Sequence, residues 1–134
     1  MNPIQAAVAL LGLACAACAS GAEPGSKLGQ AVYARCLGCH ALAYDRTGPR
    51  HCGLFGRRAG SVPGFPYSDA LKRSEIVWTA RTLNRFLADP PGTVPGTSMG
   101  YAGVADPAER AALIAYLGQA NRSAECSNSL KGLK

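Results

Sequence analysis

The sequence has few charged residues and few acidic ones, and it lacks any apolar run long enough to cross a membrane. Only 16% of its 134 residues are charged, with 8 Asp and Glu against 14 Lys and Arg. A membrane-spanning helix needs roughly twenty consecutive apolar residues, so a multi-span membrane protein is excluded. The length excludes a two-domain enzyme and would leave a typical Rossmann or P-loop domain cramped. What remains is a small basic module with a net charge of +6.

The first 22 residues differ in composition from the rest of the chain. They carry no charged side chain, and residues 6–19 are an unbroken stretch of Ala, Val, Leu, Gly and Cys. Such a run has the length of the apolar segment of a secretory signal, and small residues follow it at the positions that a signal peptidase accepts. We therefore predict a signal peptide over residues 1–22, cleaved after Ala19 or Ala22.

Two alternatives remain for this segment, because no Lys or Arg precedes the apolar run. One is a lipoprotein anchor, with Cys15 or Cys18 acylated after cleavage, and the other is a segment that is retained. Export places the mature domain, residues 23–134, in the periplasm and permits disulfides between its cysteines.

Helical periodicity and N-cap residues predict an all-α fold of at least three helices. No repeat and no alternating strand pattern is present, and the stretches 41–66 and 90–104 are irregular and rich in Gly and Pro. Long loops of this kind are rare in a small domain unless something fills the space between them, such as a bound cofactor. The predicted helices run from Lys27 to Arg35 after an N-cap at Ser26, from Ser68 to Lys72, from Thr79 to before Pro90, and from Pro107 to Asn121 after an N-cap at Asp106.

The sequence Cys36-Leu37-Gly38-Cys39-His40 has the spacing of a c-type haem attachment site. Two thiols at this spacing can add to the two vinyl groups of one macrocycle, and the adjacent imidazole is then placed to bind the iron. A thioredoxin-like dithiol would need a βαβ unit, and a zinc site would need a second pair of ligands. The pattern therefore predicts one haem c, attached through Cys36 and Cys39 and ligated by His40. A redox dithiol and a zinc site remain as the two alternatives.

The chain offers few side chains for the second axial position of the iron. After Met1 the only Met is Met99, and the only other His is His51. Met99 lies in a Pro- and Gly-rich loop outside any apolar periodic run, so it is a poor candidate for core filler. The chain at His51 would have to turn back round the haem edge for this side chain to reach the opposite face of the haem. We predict Met99 as the ligand, with His51 or an open position as the alternatives.

Several further blocks follow the CLGCH motif in a recognisable order. Together they resemble the class I cytochromes c of the mitochondrial and bacterial photosynthetic type, and the likeness covers residues 26–121. The resemblance implies three to five helices around one covalently attached haem, with long ordered loops. The blocks are TGP at 47–49, GLFGRRAG at 53–60, GFPYSDA at 64–70, IVW at 76–78, PGTSM at 95–99, AGV at 102–104 and LIAYL at 113–117.

The resemblance also implies roles for single residues on the two faces of the haem. Met99 matches the distal ligand, and Thr97 matches a position that hydrogen-bonds a propionate or the Met loop. Pro49 matches the residue whose carbonyl accepts a hydrogen bond from the axial His, here His40. Such a bond sets the tautomer and the orientation of the imidazole.

Three more positions match residues that hydrogen-bond the haem propionates: Arg57, Tyr67 and Trp78. Two buried carboxylates need donors, and a guanidinium, a phenol and an indole supply them. Without the resemblance, Trp78 reads as a core aromatic and Arg57 as a solvated loop charge, and both alternatives stay open.

Two features depart from or extend the family pattern. His51 occupies a position that is usually apolar, which leaves the local packing unexplained. In the family the chain end after the last helix runs near the loop that holds position 52. The resemblance therefore implies a Cys52–Cys126 disulfide, which export would favour. Two free thiols are the alternative.

These observations predict a periplasmic electron carrier with one haem and no enzymatic activity. A basic surface favours acidic docking partners. The candidate docking residues are Arg46, Arg50, Lys72 and Arg73, and no basic helix or aromatic platform indicates nucleic-acid binding. The resemblance implies a quinol-oxidising cytochrome complex as donor and an oxidase or reaction centre as acceptor.

Two other functions remain as alternatives. The chain could be the dedicated electron acceptor of one periplasmic dehydrogenase. It could also be a ligand-binding or peroxidatic haem protein, for which His51 is the only candidate acid or base. We expect a monomer.

Overall fold

The computed structural model describes residues 24–132, so the predicted signal peptide and the lipidation sites at Cys15 and Cys18 lie outside the described residues. Within this range the chain is helical, as predicted, but it forms six helical segments rather than three to five. None of these helices is long and apolar enough to cross a membrane. The helices are α1 Pro24–Tyr33, α2 Asp69–Arg73, α3 Ala80–Ala88, α4 Pro90–Thr93, α5 Pro107–Asn121 and α6 Ala124–Lys131.

Helix α1 begins and ends earlier than the sequence pattern predicts. It starts at Pro24, so Ser26 lies inside the first turn and the prediction of Ser26 as N-cap is wrong. The first helical position suits Pro because no hydrogen bond is lost there. The helix ends at Tyr33 because tighter turns take over, with the Arg35 N–H donating to Val32 O at 3.1 Å and the Cys36 N–H to Tyr33 O at 2.8 Å.

Asp106 is confirmed as an N-cap, and Ser68 and Thr79, the predicted starts of two helices, are N-caps as well. Ser68 accepts a hydrogen bond from the Leu71 N–H, and Thr79 forms a reciprocal capping box with Thr82. Asp106 accepts from the N–H groups of the second and third residues of α5. Each bond satisfies a backbone donor that the helix itself leaves unpaired.

Two short helices were not predicted, and each has a local cause. Pro90 ends α3 but also occupies the first position of α4, where the Asp89 carboxylate accepts from the Gly92 N–H at 3.0 Å. Helix α6 begins after Ser123, which accepts from the Cys126 N–H. The Cys52–Cys126 disulfide predicted from the resemblance is formed, with the two Cα atoms 5.0 Å apart. It ties α6 to the first long loop.

The core lies where α1 and α5 cross. The two helices approach closely at Gly29, where an added Cβ would lie 2.3 Å from the Ala112 carbonyl oxygen and 2.6 Å from the Tyr116 Cβ. One isolated antiparallel bridge joins Arg58 to Val77 across the loops, and residues 24–132 form no other strand-like pairing. The buried apolar cluster around the crossing includes Val32, Leu54, Leu83, Phe86, Leu87, Leu113 and Leu117.

Candidate functional site

A cavity of about 460 Å³ lies between the CLGCH segment and the loop that holds Met99. Residues of the two long loops line its sides, and residues of α3 and α5 line its base. All nine residues predicted for the site line this cavity. Apolar side chains make up much of the rest of its wall: Leu54, Leu71, Leu83, Phe86, Leu87, Leu113 and Leu117.

The CLGCH segment forms a single helical turn that brings its reactive side chains to the cavity. The N–H groups of Cys39 and His40 donate to the Cys36 carbonyl oxygen at 3.1 and 2.9 Å. Cys36 is half-buried and Cys39 is exposed, and both thiols are free. The turn therefore places two thiols and one imidazole at the same wall.

The imidazole of His40 is held in one tautomer. Its Nδ1 lies 2.7 Å from the carbonyl oxygen of Pro49, as the resemblance implied. A carbonyl oxygen only accepts, so Nδ1 carries the proton and Nε2 keeps a free lone pair. Burial lowers the pKa of His40 despite the bond to Pro49, which favours the neutral ring. A neutral imidazole with a free Nε2 is the form that binds a metal.

Met99 lies on the loop that closes the cavity, and its backbone N–H is 3.3 Å from the Oγ1 of Thr97, which accepts the hydrogen bond. The Thr97 N–H in turn donates to the Val94 carbonyl at 3.0 Å. Thr97 thus holds the Met loop, one of the two roles implied for it. The Met99 side chain is half-buried and packs against the core cluster.

Arg57, Tyr67 and Trp78 supply polar groups to this otherwise apolar cavity. Tyr67 and Trp78 are 9% and 6% exposed, and Trp78 also packs against Phe86 with ring centroids 5.0 Å apart. Arg57 donates to two backbone carbonyls at 3.0 Å. The reading of Arg57 as a solvated charge is therefore wrong.

Burial lowers the pKa of Arg57, and its Nε is buried without a hydrogen-bond partner among the described residues. A buried N–H with no acceptor is costly, and a carboxylate in the cavity would satisfy it. An apolar cavity with two free thiols, an imidazole nitrogen, a thioether and buried donors fits a haem c.

Two residues lie elsewhere than expected. Arg50, named as a candidate docking residue, is 9% exposed and forms a 2.9 Å ion pair with Asp45, so this prediction is wrong. His51 stacks on His40 with ring centroids 4.3 Å apart and planes at 22°. His51 therefore lies beside His40 and not across the cavity from it. The pKa of His51 is lowered to about 3, mainly by burial and also by the nearby His40 and Arg57.

Sequence reasoning missed one group that belongs to this site. The Tyr33 hydroxyl is 3.1 Å from Nδ1 of His51, so a buried tyrosine supports the ring that stacks on His40. Tyr33 lies on α1 and precedes the CLGCH motif, where only helical periodicity was available to interpret it. No local signal distinguishes a core tyrosine from one that faces a site eighteen residues away.

Comparison with known proteins agrees with this geometry. The sequence profile of the cytochrome c family matches residues 26–121. A cytochrome c2 of Blastochloris viridis is 44% identical over 96 residues, which are 69% of this chain and 76% of the relative. A cytochrome c2 of Rhodomicrobium vannielii is 39% identical over 114 residues, which are 82% of this chain and 91% of the relative.

The fold is also similar to a solved structure, cytochrome cH from Methylobacterium extorquens. The TM-score is 0.68 with 38% sequence identity, over 70% of this chain and 97% of that one. Family membership implies one covalently attached haem c, and the cavity fits that group. The chain therefore belongs to the cytochrome c family of single-haem electron carriers.

Proposed function

We propose that this protein is an exported electron carrier in which Cys36 and Cys39 bind the haem covalently and His40 and Met99 are its axial ligands. The observation that carries the proposal is the state of His40. Its Nδ1–H donates a hydrogen bond to Pro49 O, which leaves the Nε2 lone pair free to bind a metal, and Met99 lines the same cavity. Haem c supplies an iron that cycles between the ferrous and ferric states.

The surrounding residues favour transfer of one electron with little rearrangement. The thioether of Met99 and the apolar wall disfavour the additional positive charge of the ferric state and so raise the reduction potential. Arg57, Tyr67 and Trp78 neutralise or hydrogen-bond the propionates, and Thr97 holds the Met loop in place. Both ligands stay bound in both oxidation states.

With haem bound, the electron would leave through the haem edge next to Cys39, which is the exposed cysteine of the motif. Leu37 beside it is 45% exposed, and Arg46 donates to the Leu37 carbonyl, which places a cation next to that edge. The net charge of +6 favours acidic docking surfaces, and the encounter weakens as salt screens it. The partners that we propose for this basic protein are a quinol-oxidising cytochrome complex, an oxidase or reaction centre, or a periplasmic dehydrogenase.

Residues 1–22 are proposed as a cleaved signal peptide, which places the mature domain, a monomer, in the periplasm. Mass spectrometry of the protein purified from a periplasmic extract tests this. The expected mass is that of a chain starting at Ser20 or Glu23 plus one haem. A mass that includes the first residues, or lipid on Cys15 or Cys18, contradicts the proposal.

The ligand set is tested by the far-red absorption of the oxidised protein, where sulfur bound to ferric haem gives a weak band. We expect the band in the wild type and its loss in Met99→Leu, which keeps the side-chain volume. The reduction potential of this variant falls by a substantial part of the roughly 0.8 V that axial ligands span. A wild-type protein without the band would show that Met99 is not the ligand.

A further inference from the structure

His51 is the one ring beside His40 that the proposed haem site does not use. Its imidazole stacks on His40 with centroids 4.3 Å apart and a 22° angle between the planes. Both rings line the haem cavity.

The ring of His51 is held from behind by α1. The Tyr33 hydroxyl is 3.1 Å from His51 Nδ1, and Tyr33 is only 3% exposed. Tyr33 also packs on Tyr116 of α5, with ring centroids 5.1 Å apart. The hydroxyl therefore sits on a side chain that is fixed by two helices.

The backbone of His51 is fixed as well. Its N–H is 3.1 Å from the carbonyl oxygens of Ala41 and Leu42. Its carbonyl oxygen accepts from the Asn121 side-chain amide and from the Leu54 N–H, both at 3.1 Å. With main chain and ring both anchored, His51 presents a rigid planar face to His40.

One hydrogen bond does not fully define the plane of an axial imidazole. The bond from His40 Nδ1 to Pro49 O fixes one atom of the ring, while rotation about the line from that atom to a bound iron changes the angle of the plane. A ring stacked at 22° resists that rotation because it would lose its contact. Groups behind a metal ligand orient it and tune the metal in this way.

We propose that His51, anchored by Tyr33, is a positioning residue that sets the plane of the His40 imidazole on the haem. This inference rests on the proposed role of His40 as an axial ligand. The orientation of the ligand plane controls the splitting of the ferric iron d orbitals. It is therefore read out by the electron paramagnetic resonance g values and by the paramagnetic shifts of the haem methyl protons.

Four single variants of the haem-loaded protein test the proposal. His51→Leu removes the ring, and His51→Phe restores a flat face without the bond to Tyr33. Tyr33→Phe removes the hydroxyl and keeps the ring. Tyr116→Phe is the matched control, because it changes a neighbouring tyrosine that touches Tyr33 but not His51.

We expect His51→Leu to shift and broaden the g values and to reorder the methyl shifts, while the far-red band of the Met ligand is kept. His51→Phe should return towards the wild-type spectrum, and Tyr33→Phe should show a smaller change in the direction of His51→Leu. Tyr116→Phe should match the wild type.

Wild-type g values and methyl shifts in His51→Leu would overturn the proposal, as would a His51→Phe variant as altered as His51→Leu. If His51→Leu does not fold, Tyr33→Phe decides: wild-type g values and methyl shifts in that variant would overturn the proposal. Absence of the far-red band in the wild type would count against the proposed ligand set instead, so the two failures are distinguishable.

Discussion

At the scale of single residues, Gly48 shows how closely the chain packs around the imidazole of His40. A Cβ at this position would lie 2.3 Å from His40 Cε1 and 2.6 Å from both ring nitrogens. These three distances place it directly over the face of the ring and not at its edge. Gly48 has no positive φ angle, so its backbone conformation does not require glycine. The close approach of its backbone to the His40 ring does require it.

Replacing Gly48 by Ala should therefore push His40 out of position. We expect destabilisation by about 1–3 kcal/mol, the usual cost of overpacking, together with a changed haem absorption spectrum, because His40 is the proposed axial ligand. Chemical denaturation and absorption spectroscopy measure the two effects. The control is Gly38→Ala, because a Cβ at Gly38 meets no atom within 4 Å. Equal stability of the two variants would contradict the packing argument.

At the scale of secondary-structure elements, the contact between α1 and α5 organises the domain. Gly29 lets the helices approach until its missing Cβ would overlap the backbone of Ala112. At the open end of the pair, Arg35 and Glu109 form two hydrogen bonds of 2.7 Å each. Glu109 lies three residues after the N-cap Asp106, a position where a Glu can complete a capping box, but its carboxylate accepts from Arg35 instead.

Two glycine variants separate close approach from helix propensity. Gly29→Ala should destabilise the protein by about 1–3 kcal/mol, because the obstruction is backbone that cannot move aside. Gly118→Ala, within α5, meets its neighbours only at 3.8 Å or more and should stabilise by roughly 0.5–1 kcal/mol through helix propensity. Urea denaturation measures both, and destabilisation of similar size in the two variants would contradict the assigned contact.

The ion pair between Arg35, in the turn after α1, and Glu109 of α5 predicts a pH effect with a defined sign. Hydrogen bonds from Arg35 hold the pKa of the Glu109 carboxyl below its ordinary value. A depressed carboxyl pKa stabilises the folded state above the unfolded pKa of about 4.3, and this contribution is lost as the pH falls through the folded value.

In Arg35→Gln the pKa of Glu109 should rise towards its ordinary value, as followed by NMR titration of the carboxyl carbon. Arg122→Gln, which alters an exposed arginine just after α5, should leave it unchanged. A Glu109 pKa that is the same in wild type and Arg35→Gln would show that the pair does not form in solution.

At the scale of the whole molecule, the disulfide joins parts of the chain that are 74 residues apart. Both sulfurs are on fully buried cysteines. Cys52 follows His51 in the chain, and its carbonyl oxygen accepts a hydrogen bond from the Arg57 guanidinium at 3.0 Å. Besides this link, α6 is held by the Ser129 hydroxyl, which donates to Ala43 O at 2.8 Å. The disulfide thus links α6 to the first long loop, which lines the cavity.

Replacing both Cys52 and Cys126 by Ser should lower the free energy of unfolding by at most about 4.5 kcal/mol, the value that chain entropy assigns to a loop of this length. Hydrogen exchange of the α6 amides should accelerate more than that of α5. Denaturation and exchange measured on oxidised and reduced wild type provide the matched comparison. If reduction changes neither, the bridge does not stabilise this end of the molecule.

Local patterns predicted the parts of the molecule whose causes are local. The N-caps at Ser68, Thr79 and Asp106 bond to groups within three residues along the chain. Cys36, Cys39 and His40 lie within one helical turn. In both cases the spacing in the sequence is sufficient to predict the feature. The prediction that a helix ends before Pro90 is confirmed. The same residue also starts α4, which was not predicted because that helix depends on the Asp89 side chain as its N-cap.

The sequence by itself determined the haem attachment pattern, the scarcity of axial ligands that singled out Met99, and the helical class. Only the tertiary structure decided that Arg50 is buried against Asp45, that α6 is linked to the first long loop, and that the Tyr33 hydroxyl contacts His51, which stacks on His40. The physical reason is distance along the chain. Covalent and capping chemistry joins near neighbours, whereas burial and ring stacking join residues that only the folded chain brings together.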